Sequence, residues 1–92
     1  MALTFEWDEN KAEENISKHG VSFEEARTVF NDSFSITIYN PDHSLDEDRY
    51  IDVGLSSRER ILVVSYTERD ENIRIISSRQ ATRRERRNYE ER

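Results

Sequence analysis

Three β-rich runs, residues 50–56, 61–67 and 73–78, are separated only by Ser57-Arg58-Glu59-Arg60 and by Glu68-Arg69-Asp70-Glu71-Asn72. Connections this short and polar cannot carry a parallel crossover, which needs a dozen or more residues, so the three runs must form an antiparallel meander. A fourth strand precedes them, because Phe34, Ile36 and Ile38 alternate with Ser35, Thr37 and Tyr39, which turns the isoleucines toward a core. A sheet that is apolar on one face needs a cover, and the N-terminal third of the chain supplies one.

Phe5-Glu6-Trp7 reads as a short opening strand, after which Asp8 is placed to cap a helix over 9–18. Ala12 and Ile16 define its inner face, and Gly20 is its stop. Ser22-Phe23-Glu24-Glu25 is a capping box, followed by Phe23, Ala26, Val29 and Phe30 at helical spacing and then by the stop Asn31-Asp32. Thr82-Arg83-Arg84-Glu85 is a second capping box, opening a last helix. Tyr89 is almost its only large apolar anchor, so this helix is expected to dock weakly and to be displaceable by a partner. The predicted architecture is one α+β domain over 1–92. It has a four-stranded antiparallel sheet, room for a short N-terminal strand, two N-terminal helices on one face and a C-terminal helix.

The chain carries 20 acidic and 14 basic side chains, a net charge of −6, and no cysteine. A disulfide framework and thiolate chemistry are therefore excluded. No apolar run has the length of a bilayer span and no secretory leader opens the sequence, so a soluble, cytoplasmic chain without membrane contact is expected. The acidity argues against indiscriminate nucleic-acid binding. The charge is unevenly divided, however, since residues 73–92 hold seven arginines against three glutamates, leaving the rest at −10. An anion-binding patch on an acidic body is one reading and a solvated helix is the other.

With two glycines in all, no phosphate-binding loop, no nucleophile elbow and no metal-spaced histidines, neither a metal nor a cofactor is expected. Arginines, histidines and carboxylates remain. These suffice to cleave RNA without a metal, given a base for the 2′-hydroxyl, cations for the phosphate and an acid for the leaving oxygen. They also suffice for simple phosphate binding. Arg79, where the last strand meets the last helix, and Arg83, one turn on, are candidates to hold the phosphate, unless Arg79 is spent on an ion pair with Glu47 or another loop carboxylate. The long connection 40–49 contains His43 and Glu47, candidates for proton transfer. His19 beside Lys18 is either functional or a cap for helix carbonyls. Arg74 alternates with Ile73 and Ile75, which places it on the open face of the sheet.

Trp7-Asp8-Glu9-Asn10-Lys11 with Asn15, Lys18-His19-Gly20-Val21-Ser22-Phe23 with Glu25-Ala26, His43-Ser44 with Glu47 and Arg49, and Ile73-Arg74-Ile75-Ile76-Ser77 with Arg79, Ala81-Thr82 and Arg83-Arg84-Glu85-Arg86 together resemble the BrnT family of type II toxins. The resemblance spans nearly the whole chain in order and spacing. It implies a RelE-like fold and a metal-independent endoribonuclease that arrests translation. It also implies neutralisation by a BrnA-like ribbon-helix-helix antitoxin, through which alone the toxin meets operator DNA. The family's polar positions fall on Lys18, His19, His43, Glu47, Arg49, Arg74, Arg79 and Arg83. Combined with the residue chemistry, this assigns His43, Glu47, Arg79 and Arg83 to catalysis and Lys18, His19, Arg49 and Arg74 to RNA binding. Asp48, Glu59 and Ser78 depart from the family's usual glutamate, glycine and alanine. The rival reading is a non-catalytic module that engages a DNA-binding partner as co-repressor.

Overall fold

The computed structural model describes residues 3–40 and 48–91. Its elements run β1 (Thr4–Glu6), α1 (Glu9–His19), α2 (Phe23–Ala26) continued by a 3-10 turn (Arg27–Asn31), β2 (Ile36–Asn40), β3 (Arg49–Leu55), β4 (Ile61–Arg69), β5 (Asn72–Gln80) and α3 (Arg83–Glu90). The caps that the sequence announces set the helix ends. Asp8 accepts from the amides of Asn10 and Lys11, and Gly20 closes α1 in the left-handed region at φ 68°. Thr82 and Glu85 form a complete reciprocal box at the start of α3. The box at Ser22 is only half made. Ser22 accepts from the Glu25 amide, but the Glu25 carboxylate turns away to Ser56 and Arg60 across the fold.

The sheet order is β1-β5-β4-β3-β2, and the last four strands form the expected antiparallel meander. β1 adds a fifth strand parallel to β5, with Thr4 opposite Asn72 and Glu6 opposite Arg74. The sheet is thus five-stranded and mixed, not four-stranded and antiparallel. Hairpin logic fixes only neighbours in sequence, whereas β1 comes from the far end of the chain and fills the free outer edge of β5 for three residues. Beyond that, one side chain takes over. Asn15 donates from Nδ2 to the carbonyls of Ser78 and Val21, each at 2.8 Å, and accepts at Oδ1 from the Ser78 amide at 3.1 Å. Its carboxamide stands in for the peptide group of a missing strand. This is why the inner face of α1 holds Asn15 beside Ala12, while Ile16, expected inside, is 50% exposed.

Both faces of the sheet are covered. On one, Phe23, Ala26 and Val29 pack with Val21 against Leu62, Val64, Tyr66, Ile73 and Ile75. On the other, Tyr89 of α3 and Ala81 lie over Ile51, Val53, Ile61 and Val63. A bulge keeps β5 in phase with both layers. Ser77 pairs with Ser65 but Ile75 with Tyr66, so Ile76 is the extra residue, and Ile73, Ile75 and Ser78 all turn toward the helices. The expected parity of β2 is also reversed. Ile36 and Ile38 pair with Val53 and Ile51 on the α3 face, leaving Thr37 and Tyr39 on the α1/α2 face. Phe34 lies before the strand and is 64% exposed. Gly54 permits the close approach of the helical layer, since a Cβ there would come within 2.8 Å of Val29 Cγ1.

Candidate active site

β5 is the spine along which the predicted cationic residues gather. At the end of the sheet where the β2–β3 connection leaves, Arg49 of β3 pairs with Thr67 of β4, Thr67 with Arg74 of β5, and Arg74 with Glu6 of β1. All four occupy the α3 face, where pleat alternation sets their side chains in one row. Thr67, only 4% exposed, is the floor between the two arginines. A cleft of about 260 Å³ opens here, lined by Glu6, Thr67, Arg69, Asn72 and Arg74.

Among the described residues, Arg69 and Arg74 line this cleft against the single carboxylate Glu6, and Arg49 stands on the far side of Thr67. Arg74 Nη1 donates to Glu6 Oε2 at 2.9 Å, and Asn72 Nδ2 donates to Glu6 Oε1 at 2.7 Å. The Asn72 hydrogen bond first, and then Arg74, hold the Glu6 carboxyl below its ordinary pKa. Arg49 differs, because its Nε is buried without a hydrogen-bond partner among the described residues. A buried guanidinium N–H left open is costly, and an incoming oxyanion would satisfy it.

Lys18 and His19 lie at the C-terminal end of α1, beside the bulged residues Ile76 and Ser77, where they line a groove of about 200 Å³ with Lys11, Glu14 and Asn15. They therefore flank β5 about half-way between Arg74 and Arg79. Arg79 is five residues beyond Arg74, on the order of 15 Å along the strand. Its Nη1 and Nη2 donate to the two carboxylate oxygens of Glu85 at 2.8 and 2.9 Å. The partner is thus a helix carboxylate. Those bonds, opposed by the penalty of burial, pull Glu85 down to a pKa of about 2, and the capping contacts with Thr82 add to the effect. Arg83, the first residue of α3, is exposed.

Arg49 and Arg74 thus share one row, Lys18 and His19 sit at the β5 edge, and Arg79 stands farther along with Arg83. His43 and Glu47 lie outside the described residues. The connection that bears them begins after Asn40 and ends before Arg49, the residue opposite Asn40 in the sheet, so it is rooted beside the arginine row.

Two groups escaped the sequence reading. Asp52 is 4% exposed and accepts from the Tyr66 hydroxyl at 2.8 Å, and burial pushes its carboxyl up against the lowering effect of hydrogen bonds from Thr37 and Tyr66. Its signal was an acidic residue at an inward position of a strand. The second is a row of rings, Tyr39, Tyr50 and Tyr66, in register across β2, β3 and β4. The alternation that made Tyr39 a polar position concealed it.

The family model for the ribonuclease toxin BrnT of type II toxin–antitoxin systems matches residues 7–85. The chain belongs to the BrnT family. Its fold is similar to the crystal structure of the Brucella abortus ribonuclease toxin BrnT, with a TM-score of 0.64 and 24% identity, covering 89% of this chain and 100% of that one. No curated protein matches the sequence. Membership makes the chain a ribonuclease toxin of a type II system, with RNA as substrate and a cognate antitoxin as partner. The matched span contains all eight predicted site residues, from Lys18 to Arg83. No helix among the described residues is long and apolar enough to cross a membrane.

Proposed function

We propose that this BrnT-family protein cleaves RNA without a metal ion, at the cleft that Arg74 lines and Arg49 flanks across Thr67, beside the root of the β2–β3 connection. The observation that carries the proposal is the Arg49–Thr67–Arg74 row with the open Nε of Arg49. The two guanidinium groups hold the scissile phosphate. His43 and Glu47 move the protons: one takes the proton of the 2′-hydroxyl as its oxygen attacks phosphorus, and the other gives a proton to the departing 5′-oxygen. The products are a 2′,3′-cyclic phosphate and a free 5′-hydroxyl. An arginine-lined cleft repels a divalent cation and itself neutralises the charge that grows on the phosphate. Arg79 and Arg83 extend the cationic track along β5, and Lys18 and His19 contact the strand at its edge. Cleavage of RNA arrests translation, and a ribbon-helix-helix antitoxin restrains the toxin while binding operator DNA.

The test is cleavage of single-stranded RNA by purified protein in EDTA, with end-group analysis of the products. Arg49→Ala and Arg74→Ala should each lower kcat/KM by roughly 10²- to 10³-fold at unchanged fold. A 2′-deoxy nucleotide at the cleavage position should stop the reaction. Undiminished cleavage by both variants, or cleavage that needs a divalent ion and leaves a 5′-phosphate, would refute the assignment.

A further inference from the structure

The arginine row accounts for a phosphate but for no base. On the other face of the same strand end stand Tyr39 and Tyr50. Their ring centroids are 5.5 Å apart, and Tyr50 stacks on Tyr66 at 5.6 Å with 23° between planes. Behind Tyr66 the series continues edge-on through Phe30 at 4.9 Å to Phe5 at 5.1 Å. A column of five rings thus runs from the core to the sheet edge and ends at Tyr39, which is 49% exposed. The Tyr39 hydroxyl donates to Asp48 Oδ1 at 3.1 Å, tying the ring across the two ends of the connection. The outer ring is therefore oriented before any ligand arrives and would lose little rotamer freedom on binding.

Resting on the proposed RNA cleavage, we infer that Tyr39, backed by Tyr50, is a stacking platform for a nucleobase one nucleotide away from the phosphate held by Arg49 and Arg74. Tyr39 directly precedes Asn40, whose partner in the sheet is Arg49, so platform and phosphate site lie on opposite faces of one strand end. A chain whose backbone crosses the end of the sheet can place a phosphate on one face and the adjoining base on the other. The local charges favour this division. Asp48 and Glu68, whose charges act on Tyr50, repel a phosphate chain, while the face of a base carries no such charge. The ligand is thus a base presented alone. Stacking of this kind tolerates sequence, because every base offers a π face.

The test measures binding of a short fluorescein-labelled 2′-O-methyl oligoribonucleotide, which lacks the attacking hydroxyl, by anisotropy. The same strand with a single abasic nucleotide moved through it serves as second probe. Tyr39→Ala should weaken binding about five- to a hundredfold, whereas Tyr39→Phe, which keeps the ring, should stay within about twofold. One abasic position should weaken the wild type by a similar factor and leave Tyr39→Ala unchanged. Tyr39→Leu, which retains apolar packing against Tyr50, should behave like the alanine variant and controls for loss of fold. If Tyr39→Ala and Tyr39→Leu bind like wild type while Arg49→Ala does not, the platform is refuted and the cleavage site stands. If both weaken but no abasic position matches them, Tyr39 acts through structure and the platform is refuted again. If the wild type binds no RNA, the cleavage site falls with it.

Discussion

Glu25→Ala should be among the most destabilising single changes outside the apolar core. The Glu25 side chain is 3% exposed, and its carboxylate accepts from Arg60 Nε at 3.0 Å, from Arg60 Nη2 and from the Ser56 hydroxyl at 2.7 Å. Arg60 also reaches the carbonyl of Gly20, so the cluster ties α1, α2 and the β3–β4 turn together. Breaking one side of a buried pair costs roughly 3–5 kcal/mol. The Arg60 side chain remains 26% exposed and can recover some hydration, which points to the lower end, about 3 kcal/mol. For a domain of this size that lowers Tm by about 12–24 °C. Circular dichroism melts and urea titrations of wild type and variant would measure it. Arg60, the largest cause, and then Ser56, hold the Glu25 carboxyl below its ordinary 4.5 against burial. The folded state therefore binds fewer protons than the unfolded chain. The contribution is complete above that value and is lost as pH falls through the lower, folded one, so the gap between wild type and variant should close in acid. A loss under about 1 kcal/mol at neutral pH, or a gap that does not change with pH, would refute the reasoning.

Asn15→Leu strips partners from the Ser78 amide and from the carbonyls of Ser78 and Val21, and should cost about 3 kcal/mol or more in urea unfolding. Glu59 occupies the left-handed region at φ 63° in the β3–β4 turn. Glu59→Gly should raise stability by roughly 0.5 kcal/mol, the strain relieved less the added chain entropy, in the same titrations. Glu85→Gln keeps an acceptor for the Thr82 amide but removes the charge facing Arg79. With side chains 31% and 42% exposed, the pair is worth about 1 kcal/mol after solvent screening. That contribution should be present above the ordinary 4.5 and fade as pH falls toward 2, and thermal melts along a pH series would show it.

The parts of the fold legible in the sequence were those decided within a few residues. Asp8, Gly20 and the Thr82–Glu85 box end their helices where their local chemistry says they should, and the meander follows from its short turns. What could not be read depends on partners far away in the chain. Nothing near Asn15 announces that the edge of β5, 63 residues on, lacks a strand, so the isoleucine beside it seemed the better core residue. Glu25 satisfied a local motif on paper yet bonds to Arg60, 35 residues away, because a cation outweighs an amide as the partner of a buried carboxylate. The isoleucines of β2 lie on the α3 face because the register pairs them with Val53 and Ile51, and Ile38 stays 50% exposed there. No residue of α3 is buried, so Tyr89 remains its apolar anchor, joined by two polar ties: the Tyr89 hydroxyl donates to Asp32 and Arg79 donates to Glu85. For the site, residue types and their place on β5 could be read, but which arginines stand together depended on the register.

That register also ranks the arginines. Arg74 and Arg79 already hold carboxylates, Glu6 and Glu85, so a phosphate at either must displace an internal anion and gains only the difference between two charge-assisted bonds. Among the described residues Arg49 has no such contact to surrender, and its buried Nε acquires a partner it lacked there. Removing Arg49 should therefore weaken phosphate binding more than removing Arg79, although Arg79 has the better hydrogen-bonding geometry in the free protein. The paired arginines contribute in a second way. A phosphate that takes Arg79 releases Glu85, whose carboxylate then caps Thr82 alone, so occupancy at the far end of β5 loosens the first turn of α3. Binding of a non-cleavable RNA should accordingly speed amide exchange in α3 while slowing it in β3. Slower exchange in both elements would show that Arg79 keeps Glu85, and that only the Arg49–Arg74 end of the strand meets the substrate.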